Sequence, residues 1–142
     1  MILLDANVLI YAFRRDAERH EEYREWLENV LCHKAAVGLA DVALAAVIRI
    51  TTHPKIFAKP SSMDEAFIYT SFLMGQPNVV HVHPGPRHWG IFEQLCRKAD
   101  ARGNLVTDAY LAALAIESGA EMMTTDRDFA RFPGLRWRHP LA

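Results

Sequence analysis

At 142 residues, 51% of them apolar and 23% charged, the chain has the length and balance of one globular domain that buries its own core, which excludes a disordered chain. A formal net charge of -1 argues against bulk attraction to nucleic acid and leaves that role to local basic patches. Two cysteines, Cys32 and Cys96, give neither a disulfide framework nor zinc-finger spacing and are expected as reduced, packed thiols, and no signal peptide or apolar stretch of spanning length is present. A cytoplasmic protein with no membrane partner is expected.

Ile2–Leu4 reads as a short buried strand that ends on Asp5, and Asn7, a good capping residue, is expected to open a helix over Val8–Phe13. From Ala17 to Leu31 the apolar positions Tyr23, Trp26, Leu27, Val30 and Leu31 recur at helical spacing amid glutamates, predicting a second, amphipathic helix. Ala35–Gly38 is a second strand. Asp41 then precedes Val42–Ile50, an apolar run too long for one strand and read as a helix with Asp41 near its start. Met63–Met74 is helical and Val79–Val82 is a third strand; His88–Ala101 and the Ala-rich Leu105–Ser118 are two further helices, parted by Gly103-Asn104. Glu121–Thr124 is a fourth strand, Phe129–Phe132 a short helical turn, and Leu135–Arg138 a last strand. Strands alternating with helices over residues 1–142, without repeat or linker, predict a single α/β unit: a mostly parallel sheet of four or five short strands flanked by helices.

Ligand sites in such sheets gather beyond the carboxyl ends of the strands. Asp5 and Asp126 each follow a strand, Asp41 follows the second strand within a few residues, and Asp108 stands in the first turn of the Ala-rich helix. Each has a structural excuse as a cap, a turn residue or a complement to a helix dipole. Together they would repel one another unless a cation neutralised them, and hard oxygen donors suit Mg²⁺ or Mn²⁺.

Asp5-Ala6-Asn7-Val8-Leu9, then Gly103-Asn104 leading to Asp108-Ala109 and Leu111-Ala112-Ala113-Leu114-Ala115, then Thr124-Thr125-Asp126-Arg127-Asp128-Phe129, resembles the PIN-domain proteins, and among them the VapC toxins of toxin–antitoxin systems. The resemblance spans nearly the whole chain. It implies a PIN-like fold and a metal-dependent endoribonuclease, using Mg²⁺ or Mn²⁺, that acts on RNA, forms a homodimer and is held inactive by a VapB-type antitoxin. It carries over Asp5, Asp108 and Asp126 as catalytic and metal-binding acids, with Asn7 and Thr124 as positioning groups. One departure stands out: the glutamate that PIN domains carry in the helix after the second strand is matched here by Ala46. Asp41 is the nearest acid; five residues rotate an ideal helix by about 140°, so it could join the metal ligands only from the helix N-terminus. A degenerate PIN domain that binds without cleaving is the alternative.

Other chemistries find less support. His81 and His83 share a strand face but lack a third ligand at zinc-like spacing; no serine sits in a nucleophile elbow, and there is no phosphate-binding glycine loop. A receiver domain needs an acidic pair before the first strand ends and a lysine after the last, and a haloacid-dehalogenase phosphatase needs a second aspartate at position 7, where Asn7 stands. Trp26, Trp89 and Trp137 are expected in packing, whereas Arg14, Arg15 and Arg127 are expected near strand ends, where they could meet phosphates.

Overall fold

The fold is seen in a computed structural model that describes every residue from Met1 to Ala142. Five strands, β1 (Ile2–Leu4), β2 (Val37–Leu39), β3 (Val79–His81), β4 (Glu121–Met123) and β5 (Trp137–Arg138), pair in parallel in the order β3-β2-β1-β4-β5. Six helices connect them: α1 (Ala6–Phe13), α2 (His20–Cys32), α3 (Asp41–Thr51), α4 (Met63–Met74), α5 (His88–Lys98) and α6 (Asn104–Ser118). A 3₁₀ turn, Arg127–Arg131, leads into β5. No helix is long and apolar enough to cross a membrane.

Strands of two or three residues hold because successive side chains enter opposite cores, the pattern of a sheet covered on both faces. Leu3 and Met122 join the core built with α5 and α6, while Leu4 and Met123 join the one built with α1 to α4. All four are at most 1% exposed. The small buried residues Ala109, Ala112, Ala113 and Ala115 let α6 approach the sheet closely. On the opposite face, the Tyr69 hydroxyl of α4 donates to the Leu9 carbonyl of α1 at 2.7 Å.

The elements fall where the sequence places them, with differences at their ends. Asp5, not Asn7, is the N-cap of α1, because its carboxylate accepts the Ala6 N–H, so Asn7 lies inside the first turn. Residues before His20 form turns, and α2 begins there on Arg19 in a left-handed conformation. Asp41 is the first helical residue of α3, whose cap position is Ala40. α6 begins at Asn104, which moves Asp108 into the second turn. Cys32, expected to be packed, is exposed as the last residue of α2.

Gly38 of β2 is required by a close approach: a Cβ there would lie 2.9 Å from Val82 Cγ2 and 3.2 Å from the Ile2 carbonyl oxygen. Backbone on one side leaves no room to yield. Gly38→Ala is expected to destabilise the fold by about 1–3 kcal/mol, through overpacking. Urea unfolding with an unchanged m-value checks this, and a midpoint equal to that of the wild type would refute it.

Candidate active site

The strand order reverses direction at β1, which lies between β2 and β4, so the crevice outside the ends of β1 and β4 is the topological switch point of the sheet. The register pairs Leu4 with Met123, which sets the next residue of each strand, Asp5 and Thr124, side by side. The Thr124 hydroxyl donates to Asp5 Oδ2 at 2.6 Å and accepts the Asp126 N–H at 3.0 Å. Asp5 Oδ1 accepts the Ala6 N–H at 2.7 Å. Asn7 reaches the same hydroxyl at 3.5 Å through its amide and accepts the Thr125 N–H at 3.5 Å, tying α1 to the end of β4. Asp126 caps the 3₁₀ turn by accepting the Asp128 N–H at 2.9 Å.

Asp108 enters from α6, which runs antiparallel to the strand it precedes and therefore starts at this edge. Asp5, Asp108 and Asp126 line one cleft of about 370 Å³. Its walls are Val42, Ala46, Arg49 and Ile50 of α3 on one side, and Asn104, Thr107 and Leu111 of α6 on the other. Burial, then the charges of Asp5, Asp126 and Asp128, push the Asp108 carboxyl up to about 7. Burial also raises Asp5, against the lowering effect of the hydrogen bonds from Thr124 and Ala6, with the Asp126 charge adding to the rise.

Asp41 stands apart from this group. It is absent from the cleft lining, its side chain is 73% exposed, and it faces His81 Nε2 at 3.2 Å. Its place on the rim follows from α3 beginning above the end of β3. His81 and His83 lie with ring centroids 5.2 Å apart, yet no three His, Cys, Asp or Glu side chains converge as a ready-made ligand set anywhere in the molecule. Trp26 and Trp137 pack against the two cores, whereas Trp89 is exposed on α5. Arg14 is not free for phosphate: it is buried, holds Asp16 at 2.6 Å and Ser61 at 3.0 Å, and stacks on Phe57. Arg15 and Arg127 are exposed and unpaired.

Sequence reasoning missed Arg49, Asn104 and Thr107 as cleft residues. The signal was available: 42, 46, 49 and 50 on α3, and 104, 107, 108 and 111 on α6, each follow the spacing of one helical face.

The PIN domain family profile matches residues 2–135. The chain belongs to the PIN-domain family. It is 43% identical to the VapC ribonuclease Mb2897 of Mycobacterium bovis over 99% of its own length and 96% of that protein's. It is 39% identical to ribonuclease VapC31 of Mycobacterium tuberculosis, with 99% of each chain covered. The fold is that of a chain in the crystal structure of VapBC2 from Rickettsia felis bound to a DNA fragment from their promoter, at a TM-score of 0.71, 17% identity and 98% coverage of each chain.

The donor set of this PIN domain fits a hard divalent cation. Asp5, Asp108 and Asp126 pair with no lysine or arginine, and Asp108 accepts no hydrogen bond, so the cluster carries charge that nothing in the chain neutralises. Mg²⁺ keeps several waters and takes one or two carboxylates directly, so it does not require three side chains to converge.

Because the folded carboxyl of Asp108 titrates near 7 and the unfolded one at its ordinary 3.8, the native state holds an extra proton between those values. Stability therefore falls as pH rises through that window, and the full cost remains above it. Asp108→Asn removes the charge at similar volume. In EDTA its Tm is expected to exceed that of the wild type by several degrees at pH 8 and by distinctly less at pH 5. A difference in Tm that does not change with pH would disprove a cost from burying this carboxylate among like charges.

Proposed function

We propose that this PIN domain is a Mg²⁺- or Mn²⁺-dependent endoribonuclease, the toxin of a toxin–antitoxin pair, with Asp5, Asp108 and Asp126 as its acidic site. The observation that carries the reading is that three carboxylates with no basic partner line one cleft at the switch point of the sheet. Relatives at 43% and 39% identity that are named VapC ribonucleases support the reaction and the RNA substrate. Transfer to this chain of a VapB-type antitoxin as partner, and of the cytoplasm as its place of action, rests on the same kinship.

Asp5 and Asp108 are the residues that would hold the ion, with Asp126 beside them. When bound, such an ion lowers the pKa of a coordinated water and offsets charge on the scissile phosphodiester. The protein's own contribution is placement. Thr124 and the Ala6 N–H lock both oxygens of Asp5, and Thr124 holds the backbone of Asp126, so two of the acids cannot move independently. Asn7 braces the same junction. Asp108 lacks such bracing and is the acid whose protonation changes near neutrality, so loading of the site is expected to improve as pH rises through about 7. Asp41 has no part in this arrangement and serves to hold His81. Ala46 in the cleft wall, where a fourth acid is expected, is the observation on the side of a PIN domain that binds RNA without cleaving it.

Purified protein free of antitoxin, incubated with total RNA and Mg²⁺ or Mn²⁺, is expected to cleave, and EDTA to abolish cleavage. Asp108→Asn should lower the rate by about 100-fold or more, the scale of losing one preorganised charge in a water-excluded site. Asp41→Asn should leave Mn²⁺ affinity in calorimetric titration unchanged. Intact RNA bound by the wild type would establish the non-cleaving alternative instead.

A homodimer is also part of this proposal, and α4 supports it. Ala66, Thr70 and Leu73 face inward, while Met63, Phe67, Ile68, Phe72 and Met74 of the same helix are exposed, Ile68 at 70%. An apolar face on that scale marks an interaction surface. Sedimentation at tens of micromolar is expected to give a dimer for the wild type and a monomer for Phe67→Asp/Ile68→Lys, with an unchanged circular dichroism spectrum. A wild-type monomer would remove the homodimer.

A further inference from the structure

Among the 14 residues that line the acidic cleft, Arg49 is the only cation. Its neighbours on the α3 wall, Val42, Ala46 and Ile50, are apolar, as is Ile56 from the segment after the helix. The guanidinium forms no ion pair and donates no hydrogen bond; only the Arg49 carbonyl is engaged, by Thr52 at 3.5 Å. The other unpaired arginines, Arg15 and Arg127, do not line the cleft, and Arg24 and Arg138 are committed to Glu21, Glu28 and Glu121.

An unpaired arginine beside three carboxylates gains by folding onto one of them if its reach allows. Arg49 does not, so the α3 wall and the acids of β1, β4 and α6 stand far enough apart to admit a group between them. That group must satisfy a guanidinium on one side and, on the other, acids that fit a divalent cation. A phosphodiester does both: its non-bridging oxygens accept bidentate hydrogen bonds from a guanidinium and also bind hard cations.

We propose that Arg49 is a catalytic residue that binds the scissile phosphate of the RNA, contacting its non-bridging oxygen from the α3 wall. The proposal rests on the ribonuclease reading and adds a substrate contact to it. As negative charge grows on the phosphate oxygens during attack, a guanidinium held against them by bidentate hydrogen bonds in a partly enclosed cleft stabilises it more than solvent does. Position 49 then supplies a positive charge on the helix whose preceding turn, at Ala46, lacks the expected acid, and the cleft becomes an acidic floor facing a basic wall.

Arg49 is exposed and unpaired, so Arg49→Gln should fold like the wild type and melt at the same temperature. Its kcat/KM for RNA is expected to fall about 10²- to 10³-fold, with Arg49→Lys recovering only part, because an ammonium cannot reproduce the planar fork. A second readout is independent of cleavage: binding of single-stranded RNA, titrated with KCl, compared between Asp108→Asn and Asp108→Asn/Arg49→Gln. Loss of one phosphate contact should reduce the slope of log K against log salt by about 0.7. Arg136→Gln, beside Met1, Ile2 and Glu121 at the opposite, amino ends of the strands, is the control and should change neither quantity. If the wild type cleaves RNA and Arg49→Gln changes neither rate nor slope, Arg49 is a solvated surface residue and the proposal is wrong. If the slope changes although the wild type does not cleave, the phosphate contact is upheld and the hydrolytic reading fails.

Discussion

The hydrogen bond from the Thr124 hydroxyl to Asp5, 2.6 Å long, joins the ends of two strands that lie 119 residues apart in the chain. It exists because the parallel ladder aligns Leu4 with Met123, so that the first residue past each strand faces its counterpart. A slip of one residue would break the pair and would also turn Leu3, Leu4, Met122 and Met123 into the wrong cores. Core packing on two faces and placement of the acid are therefore one constraint. The same hydroxyl accepts the Asp126 N–H, so a single buried oxygen sets the positions of two carboxylates.

That placement works against stability. Burial first, and then the like charges around it, raise the proton affinity of Asp108, which no hydrogen bond supports. The fold accommodates the strain because the site lies outside the strand ends, where helix termini and backbone N–H groups are present, and because two dense cores hold the sheet beneath it. Destabilising charge kept in a cleft is the usual mark of a site maintained for a ligand.

Outside the cleft some charges are committed, although Arg15 and Arg127 are not. Arg14 is spent on Asp16, Ser61 and Phe57, pinning the end of α1 to the segment that leads into α4. Asp41 is taken by His81 at the rim. What remains without a partner inside the cleft is the acid cluster and Arg49, on opposite walls. A cleft with both signs uncommitted is suited to a substrate that carries negative charge and recruits positive charge.

By itself the sequence determined the layered architecture, since apolar runs of strand length alternating with helices at 3.6-residue spacing admit few other solutions, and β1 and α4 fall where the pattern put them. It also determined the acids at 5, 108 and 126 as candidates: each alone has a structural excuse, but together at one end of a sheet they repel one another, and they stand in the motifs that resemble PIN domains. Capping was less legible: Asp5 and Asn7 are equally good caps by type, and only the backbone conformation at Asp5 gives it the role. Tertiary structure alone decided membership of the cleft. Asp41 and Arg49 sit on one helix, eight residues apart, yet the rotation of α3 turns Arg49 into the opening and leaves Asp41 on the rim against β3. Residue type and local spacing fix which face of a helix a side chain occupies, but which face meets a cleft depends on how that helix packs against strands distant in the chain.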